Sequence, residues 1–123
     1  MDIVIWILSG LLALVFVAAG AMKLATPRAK LLENPQMGWA DDFSAPQIQA
    51  IGAIEVLGGI GVILPWLLDV LPVLTPLAAL GLAATMVGAM IQHARRDEKE
   101  ALPKNAVLLV LALAVAVIRF AQL

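Results

Sequence analysis

The chain has 123 residues, of which 63% are hydrophobic and 14% charged, with a mean hydropathy of +1.00. A soluble domain is usually about 45–50% apolar and about 25% charged, so this composition excludes that class and predicts an integral membrane protein. The net charge of −1 argues against a nucleic-acid partner, and the absence of cysteine excludes disulfides, thiol redox relays and cysteine metal sites.

The first apolar segment covers residues 3–24, which is enough to cross a bilayer because a spanning helix needs about 20 residues. It lacks the basic n-region of a signal peptide, and its apolar run exceeds the usual hydrophobic core of such a leader. We therefore expect a retained transmembrane helix. The connection that follows is rich in proline and contains Trp39, an interfacial anchor that could also roof a cavity.

Three further segments have the length and composition of spanning helices, namely residues 47–68, 71–93 and 104–121. Prolines separate them, with Pro65 and Pro72 on either side of the second turn and Pro103 before the last helix. The sequence therefore predicts one all-α domain over residues 1–123, a transmembrane four-helix bundle.

The basic residues predict the orientation of this bundle. All lysines and arginines except Arg119 fall at the end formed by the first and third connections, which we call the basic end. Short loops rich in lysine and arginine stay in the cytoplasm, so both termini are expected on the non-cytoplasmic side. The expected location is the cell (cytoplasmic or inner) membrane, crossed several times.

Each predicted helix carries small residues at steps of three and four, which places them on one face. Gly20, Gly52, Gly59 and Gly88 belong to these stripes. Because lipid provides no hydrophobic drive between helices, small residues that allow close approach decide which faces meet. The glycines of the second helix could pack within the bundle or against a neighbouring copy, so a homo-oligomer is one prediction.

Glu55 is the most informative residue, because it lies in the middle of the second predicted helix. An ionised carboxylate at that depth costs about 3 kcal/mol on insertion scales, so it normally has a partner or a function. Lys23 and Arg119 lie on either side of it, each roughly 12 Å away along the bundle axis at 1.5 Å per residue. Which of the two pairs with Glu55 stays open at this point.

His93 is the only histidine and follows Gln92 at the basic end of the third helix. A cation at a helix C-terminus interacts favourably with the helix dipole, which is a structural interpretation of this residue. A functional one is proton transfer, since imidazole exchanges protons near neutral pH. One histidine with one nearby carboxylate provides too few ligands for a metal site, so none is predicted.

Several runs resemble the DoxX-like family of small membrane proteins. They are residues 20–24 ending in Lys-Leu, the glycine-rich residues 51–65 around Glu55, residues 74–82, residues 86–89 leading to His93, and Arg119 near the chain end. The resemblance implies a four-helix membrane bundle and a link to respiratory or redox chemistry. The family takes its name from subunits associated with a quinol oxidase and with thiosulfate:quinone oxidoreductase.

These features lead to a hypothesis of ligand binding in a cavity centred on Glu55, for a quinone or another apolar molecule with a polar head. Glu55 and His93 would transfer protons, and Lys23 would hold a carbonyl or anionic oxygen. The other expected ligand-binding residues are Gly20, Trp39, Gly52, Gly59, Gly88, Gln92, Asn105 and Arg119. Without a metal or flavin motif, electrons would come from a redox-enzyme partner, which makes this chain an accessory subunit.

Two alternatives stay open. In the first, the protein is a non-catalytic scaffolding subunit whose buried polar residues fix helix register, with Glu55 satisfied by a protein donor and no cavity. In the second, it is a membrane acid–base isomerase with Glu55 as the base. Whether the chain is an enzyme is therefore undecided by its sequence.

Overall fold

The computed structural model describes residues 2–123, and within them it contains helices, turns and short connections but no strand. The helices in chain order are α1 (Asp2–Ala25), the single-turn α2 (Arg28–Leu31), α3 (Ala45–Leu67), α4 (Leu74–Arg95) and α5 (Leu102–Gln122). Two 3-10 segments lie at Pro35–Asp42 and Lys99–Ala101. Within residues 2–123, four helices are long and apolar enough to span a membrane, which confirms the predicted all-α class with four candidate transmembrane helices.

The long helices α1, α3, α4 and α5 form a ring in which the extent of contact differs from one neighbouring pair to the next. The contact of α1 with α3 is the most extensive, followed by α4 with α5 and α3 with α4, whereas α1 touches α5 over a much smaller area. Leu12, Phe16, Val62, Leu82 and Val115 fill the centre. Large apolar side chains cover the outer surface, as expected where helices face lipid rather than water.

Glycines bring the backbones of α1 and α3 together. A Cβ atom added to Gly52 would lie 2.8 Å from the carbonyl oxygen of Gly20, and one added to Gly20 would overlap the carbonyl oxygen of Gly52. At Gly59 an added Cβ would lie 3.1 Å from the carbonyl oxygen of Ala13. Only residues without a side chain allow this approach, which gives helices in lipid their packing contacts.

A proline explains how α3 and α4 are joined at the end opposite the basic end. Pro65 has no N–H group, so the carbonyl of Gly61 loses its usual partner within α3. The buried hydroxyl of Thr75 donates to that carbonyl over 2.9 Å. Leu71 has a φ of 47°, which is incompatible with a helix, and α4 begins at Leu74 rather than at residue 71 as predicted.

The end of α4 matters for the site because its chain turns back sharply. Asp97 has a φ of 56°, and the N–H groups of Glu98 and Asp97 donate to the carbonyls of His93 (2.8 Å) and Ala94 (3.2 Å). These paired bonds are those of a Schellman motif. The motif places Glu98 beside His93, although five positions separate them in the sequence.

The connection between α1 and α3 folds across the basic end of the bundle. Its 3-10 segment Pro35–Asp42, which we call the lid, rests on a small apolar cluster formed with α2 and α3. The cluster consists of Leu31, Met37, Ala40 and Ile48. Arg28 fixes the far end of the lid, because its side chain donates to the carbonyls of Phe43 (2.8 Å) and Asp41 (3.1 Å). A capping box between Ser44 and Gln47 then starts α3.

Candidate functional site

The centre of the candidate site is an ion pair between α1 and α3. Lys23 Nζ lies 2.8 Å from Glu55 Oε1, and the two side chains are only 9% and 5% exposed. The glycine contact explains this pairing, because Lys23 Cβ lies at the level of Gly52, within 3.0 Å of where a Cβ on Gly52 would stand. Glu55 is one turn further along α3, about 4.5 Å, which the lysine side chain spans easily.

A cavity of about 1230 Å³ adjoins this pair at the basic end of the bundle. Its walls include apolar side chains such as Val15, Phe16 and Leu108, and its polar groups include Glu55 and His93. Met22 on α1 and Gly88 on α4 line the cavity and are exposed. The cavity is therefore not sealed inside the bundle.

Trp39 in the lid is the roof of this cavity, which we therefore call the Trp39 cavity. Lys23 Nζ lies 5.8 Å from the centre of the indole ring, close enough for a cation–π interaction. The ring also meets His93 and Phe43 edge to face, with centroid distances of 6.4 Å and 5.7 Å. The indole thus separates the ion pair on α1 and α3 from the histidine on α4.

Polar contacts to the end of α4 hold the free edge of the lid. Gln92 Nε2 donates to Asp42 Oδ2 over 2.6 Å and to the Trp39 carbonyl over 3.4 Å. Arg96 Nη1 donates to Asp42 Oδ1 over 3.1 Å, and the hydrogen bond to this carboxylate raises the pKa of Arg96. We call Asp42, Gln92 and Arg96 the latch.

His93 has a carboxylate partner that the sequence analysis did not identify. His93 Nδ1 lies 3.0 Å from Glu98 Oε1, and both residues line the cavity. Arg96 Nε donates to the other oxygen of Glu98 over 3.4 Å. One signal in the sequence could have located Glu98. It is the order of residues at the end of α4, where an aspartate in the left-handed position is followed directly by a glutamate.

The structure brings together most of the side chains expected at the site, but not the glycines of the helix contact. The expected residues that line the Trp39 cavity are Lys23, Trp39, Glu55, Gly88, Gln92, His93 and Asn105. Gly20, Gly52 and Gly59 lie instead where α1 meets α3, with no room for a ligand. Their small size serves close backbone packing there, which corrects the expectation that they line a cavity.

Arg119 also lies away from the cavity, at the opposite end of the bundle. The rise of α5 separates it from Asn105 by about 21 Å, and it does not line the Trp39 cavity. Its guanidinium carbon stands 4.6 Å from the ring centre of Trp6 and 4.3 Å from that of Trp66. Nη1 donates to Gln122 over 2.8 Å, while Nε and Nη2 find no acceptor among residues 2–123. The two indoles are its main partners.

A bundle of four membrane-spanning helices, with a lidded polar cavity at one end, defines this as a multi-pass membrane protein. The chain belongs to the DoxX-like family, whose sequence model matches residues 7–115. No curated protein and no solved structure matches the chain. The family match confirms the resemblance seen in the sequence and includes the Lys23–Glu55 pair and His93, while Trp6 and Arg119 lie outside it.

Proposed function

We propose that this protein binds a lipophilic molecule with a polar head, of the quinone class, in the Trp39 cavity. The observation that carries this proposal is the buried pair of Lys23 and Glu55 beside an open cavity of about 1230 Å³. Charged residues at membrane depth are costly and usually mark a functional site. Cavities with apolar walls and a few polar groups are typical of small-molecule binding.

The lining suggests how such a ligand would be held. The apolar walls around Phe16 and Leu108 suit a hydrocarbon tail, and the polar groups at the basic end suit the head. The Lys23 ammonium can donate a hydrogen bond to a carbonyl oxygen. The Glu55 carboxylate beside it can accept or return a proton when the ligand is reduced or oxidised.

In this proposal the protein is an accessory subunit of a redox complex in the cell membrane. The sequence carries no metal or flavin motif and no cysteine, so in this proposal a partner enzyme supplies the electrons for a quinone. The basic end, with the lid and cavity, would face the cytoplasm. Active alkaline phosphatase fused to the C-terminus would support that orientation, and an inactive fusion on a well-expressed protein would reverse it.

Binding of a short-chain quinone to the purified protein tests the proposal. The proposal predicts that Glu55→Gln weakens binding at least about tenfold, or about 1.4 kcal/mol, since the substitution removes the charge but keeps the shape. Glu33→Gln is the matched control, because Glu33 is exposed and does not line the cavity. Equal affinity of wild type and Glu55→Gln would contradict the proposal.

Scaffolding is the competing function, and the buried ion pair is the observation that favours it. Lys23 is a cationic partner for Glu55 within the protein, as a purely structural role requires. Scaffolding gives no reason for the open volume beside the pair, which is why ligand binding is preferred. If Glu55→Gln weakened assembly with partner subunits and left quinone binding unchanged, scaffolding would replace the proposal.

A further inference from the structure

His93 and Glu98 form a second acid–base pair at the polar end of the Trp39 cavity. The carboxylate occupies the Nδ1 side of the imidazole at 3.0 Å. His93 Nε2 has no hydrogen-bond partner among residues 2–123, and His93 lines the cavity. One ring nitrogen is therefore committed to the protein, and the other is available to a bound molecule.

The chain fixes the position of this pair from three directions. The Schellman motif holds the backbone of Glu98 against the end of α4 through its 2.8 Å bond to the His93 carbonyl. Arg96 Nε takes the second carboxylate oxygen at 3.4 Å, so the carboxylate cannot rotate freely. The edge of the Trp39 ring packs against the imidazole. Second partners of this kind fix both the tautomer and the orientation of a histidine.

We propose that Glu98 is a positioning residue that holds neutral His93 as its Nδ1–H tautomer and presents the Nε2 lone pair to the cavity. An ionised carboxylate can only accept hydrogen bonds, so the proton between the two groups stays on Nδ1. Nε2 is then an acceptor, and it fits a ligand head that carries a hydroxyl group. The ligand half of this inference rests on the proposed function.

The charges around the cavity do not favour an anionic head. Lys23 and Lys104 are the cations that line it, and Glu55, Glu98 and Glu100 are the carboxylates. Lys23 is already paired with Glu55, so no positive excess is left to select an anionic ligand. Lys23 donates on one side of Trp39 and His93 accepts on the other, which suits a hydroxyl-bearing lipophile such as a hydroquinone.

The tautomer can be read directly, because His93 is the only histidine in the chain. In protein labelled with ¹⁵N-histidine, at about pH 8.5 where an ordinary imidazole is neutral, NMR should show the Nδ1–H form. Glu98→Gln should convert His93 to the Nε2–H tautomer. Arg96 only donates, so it takes the amide oxygen, and the amide NH₂ then donates to Nδ1. Glu33→Gln, at an exposed carboxylate that does not line the cavity, should leave the spectrum unchanged. An Nε2–H form in the wild type, or no change in Glu98→Gln, would overturn the role of Glu98.

The ligand class is tested with a short-chain hydroquinone and its dimethyl ether. The wild type should bind the hydroquinone at least about tenfold more tightly, or about 1.4 kcal/mol, and shift its Nε2 resonance, while Glu98→Gln should abolish the preference. Equal binding of both compounds by the wild type would reject the hydroxyl specificity but leave ligand binding intact. Binding of neither compound would reject the proposed function, while the tautomer result alone decides the role of Glu98.

Discussion

Lys23 and Glu55 form an ion pair across the contact of α1 with α3, with 2.8 Å between Nζ and Oε1. Lys23 lies in the last turn of α1, whereas Glu55 is surrounded by the glycine-rich middle of α3. The lysine side chain is therefore the one that crosses the distance. Loss of Lys23 and loss of Glu55 should therefore have different energetic costs for the bundle.

We predict that Lys23→Met destabilises the bundle more than Glu55→Gln does. Removing the cation leaves a buried carboxylate without a partner, which costs about 3–5 kcal/mol in buried pairs. Removing the carboxylate costs less, because Lys23 can extend its ammonium group to the nearby basic end. Thermal unfolding in one detergent measures both, and the double substitution should cost less than the sum. A larger loss for Glu55→Gln would contradict this explanation.

A second prediction concerns the glycines that join α1 and α3. Alanine at Gly20 or Gly52 would meet a backbone carbonyl, so we expect each substitution to cost about 1–3 kcal/mol, as overpacking does. Gly10→Ala and Gly81→Ala are matched controls, because a Cβ at either position meets no atom within 4 Å. The controls should be neutral or stabilising, since alanine favours a helix by about 1 kcal/mol over glycine. Equal stability of all four variants would contradict the prediction.

The sequence was sufficient for the fold, because length, hydropathy and proline positions determine where spanning helices lie. It could not identify the partner of Glu55, since counting residues from helix ends ignores the crossing at Gly20 and Gly52 that brings Lys23 close. Asp42 and Glu98 were missed because their positions depend on loop conformations, a 3-10 segment and a left-handed Asp97. Arg119 was expected at the cavity because its long side chain could have reached inward toward Glu55, and the sequence does not show that it packs instead against Trp6 and Trp66.

The latch should control how fast molecules reach the cavity from water. Asp42→Ala removes the acceptor shared by Gln92 and Arg96, so the lid should open more often. Because the natural chain lacks cysteine, Ala89→Cys gives a single reporter on the cavity wall. In lipid discs, Asp42→Ala should speed maleimide labelling of that cysteine several-fold and reduce its dependence on salt.

Asp41→Ala is the control for the latch, because the Asp41 side chain pairs with Arg28 at 3.6 Å, whereas Gln92 and Arg96 bind the side chain of Asp42. It should label at the rate of the reporter protein alone. If the Asp42→Ala protein were labelled as slowly as the reporter protein alone at every salt concentration, the lid would not be held by these polar contacts.

Arg119 should depend energetically on its two indoles. A desolvated cation–π contact is worth up to about 2 kcal/mol, so Trp6→Leu should cost about 1–2 kcal/mol more when Arg119 is present than in an Arg119→Met background. A double-mutant cycle on unfolding free energies gives this difference. A coupling near zero would show that Trp6 acts only as an apolar anchor.

The most direct test of the account is mass spectrometry of the molecules that stay with the protein after gentle extraction. Leu108→Trp adds a bulky ring to the apolar wall of the Trp39 cavity, and Leu113→Trp places the same side chain on the exposed face of α5. Ligand binding in the Trp39 cavity predicts that a quinone or another hydroxyl- or carbonyl-bearing lipophile accompanies the wild type and Leu113→Trp but is lost from Leu108→Trp. The same lipids in the same amounts from all three proteins would contradict it.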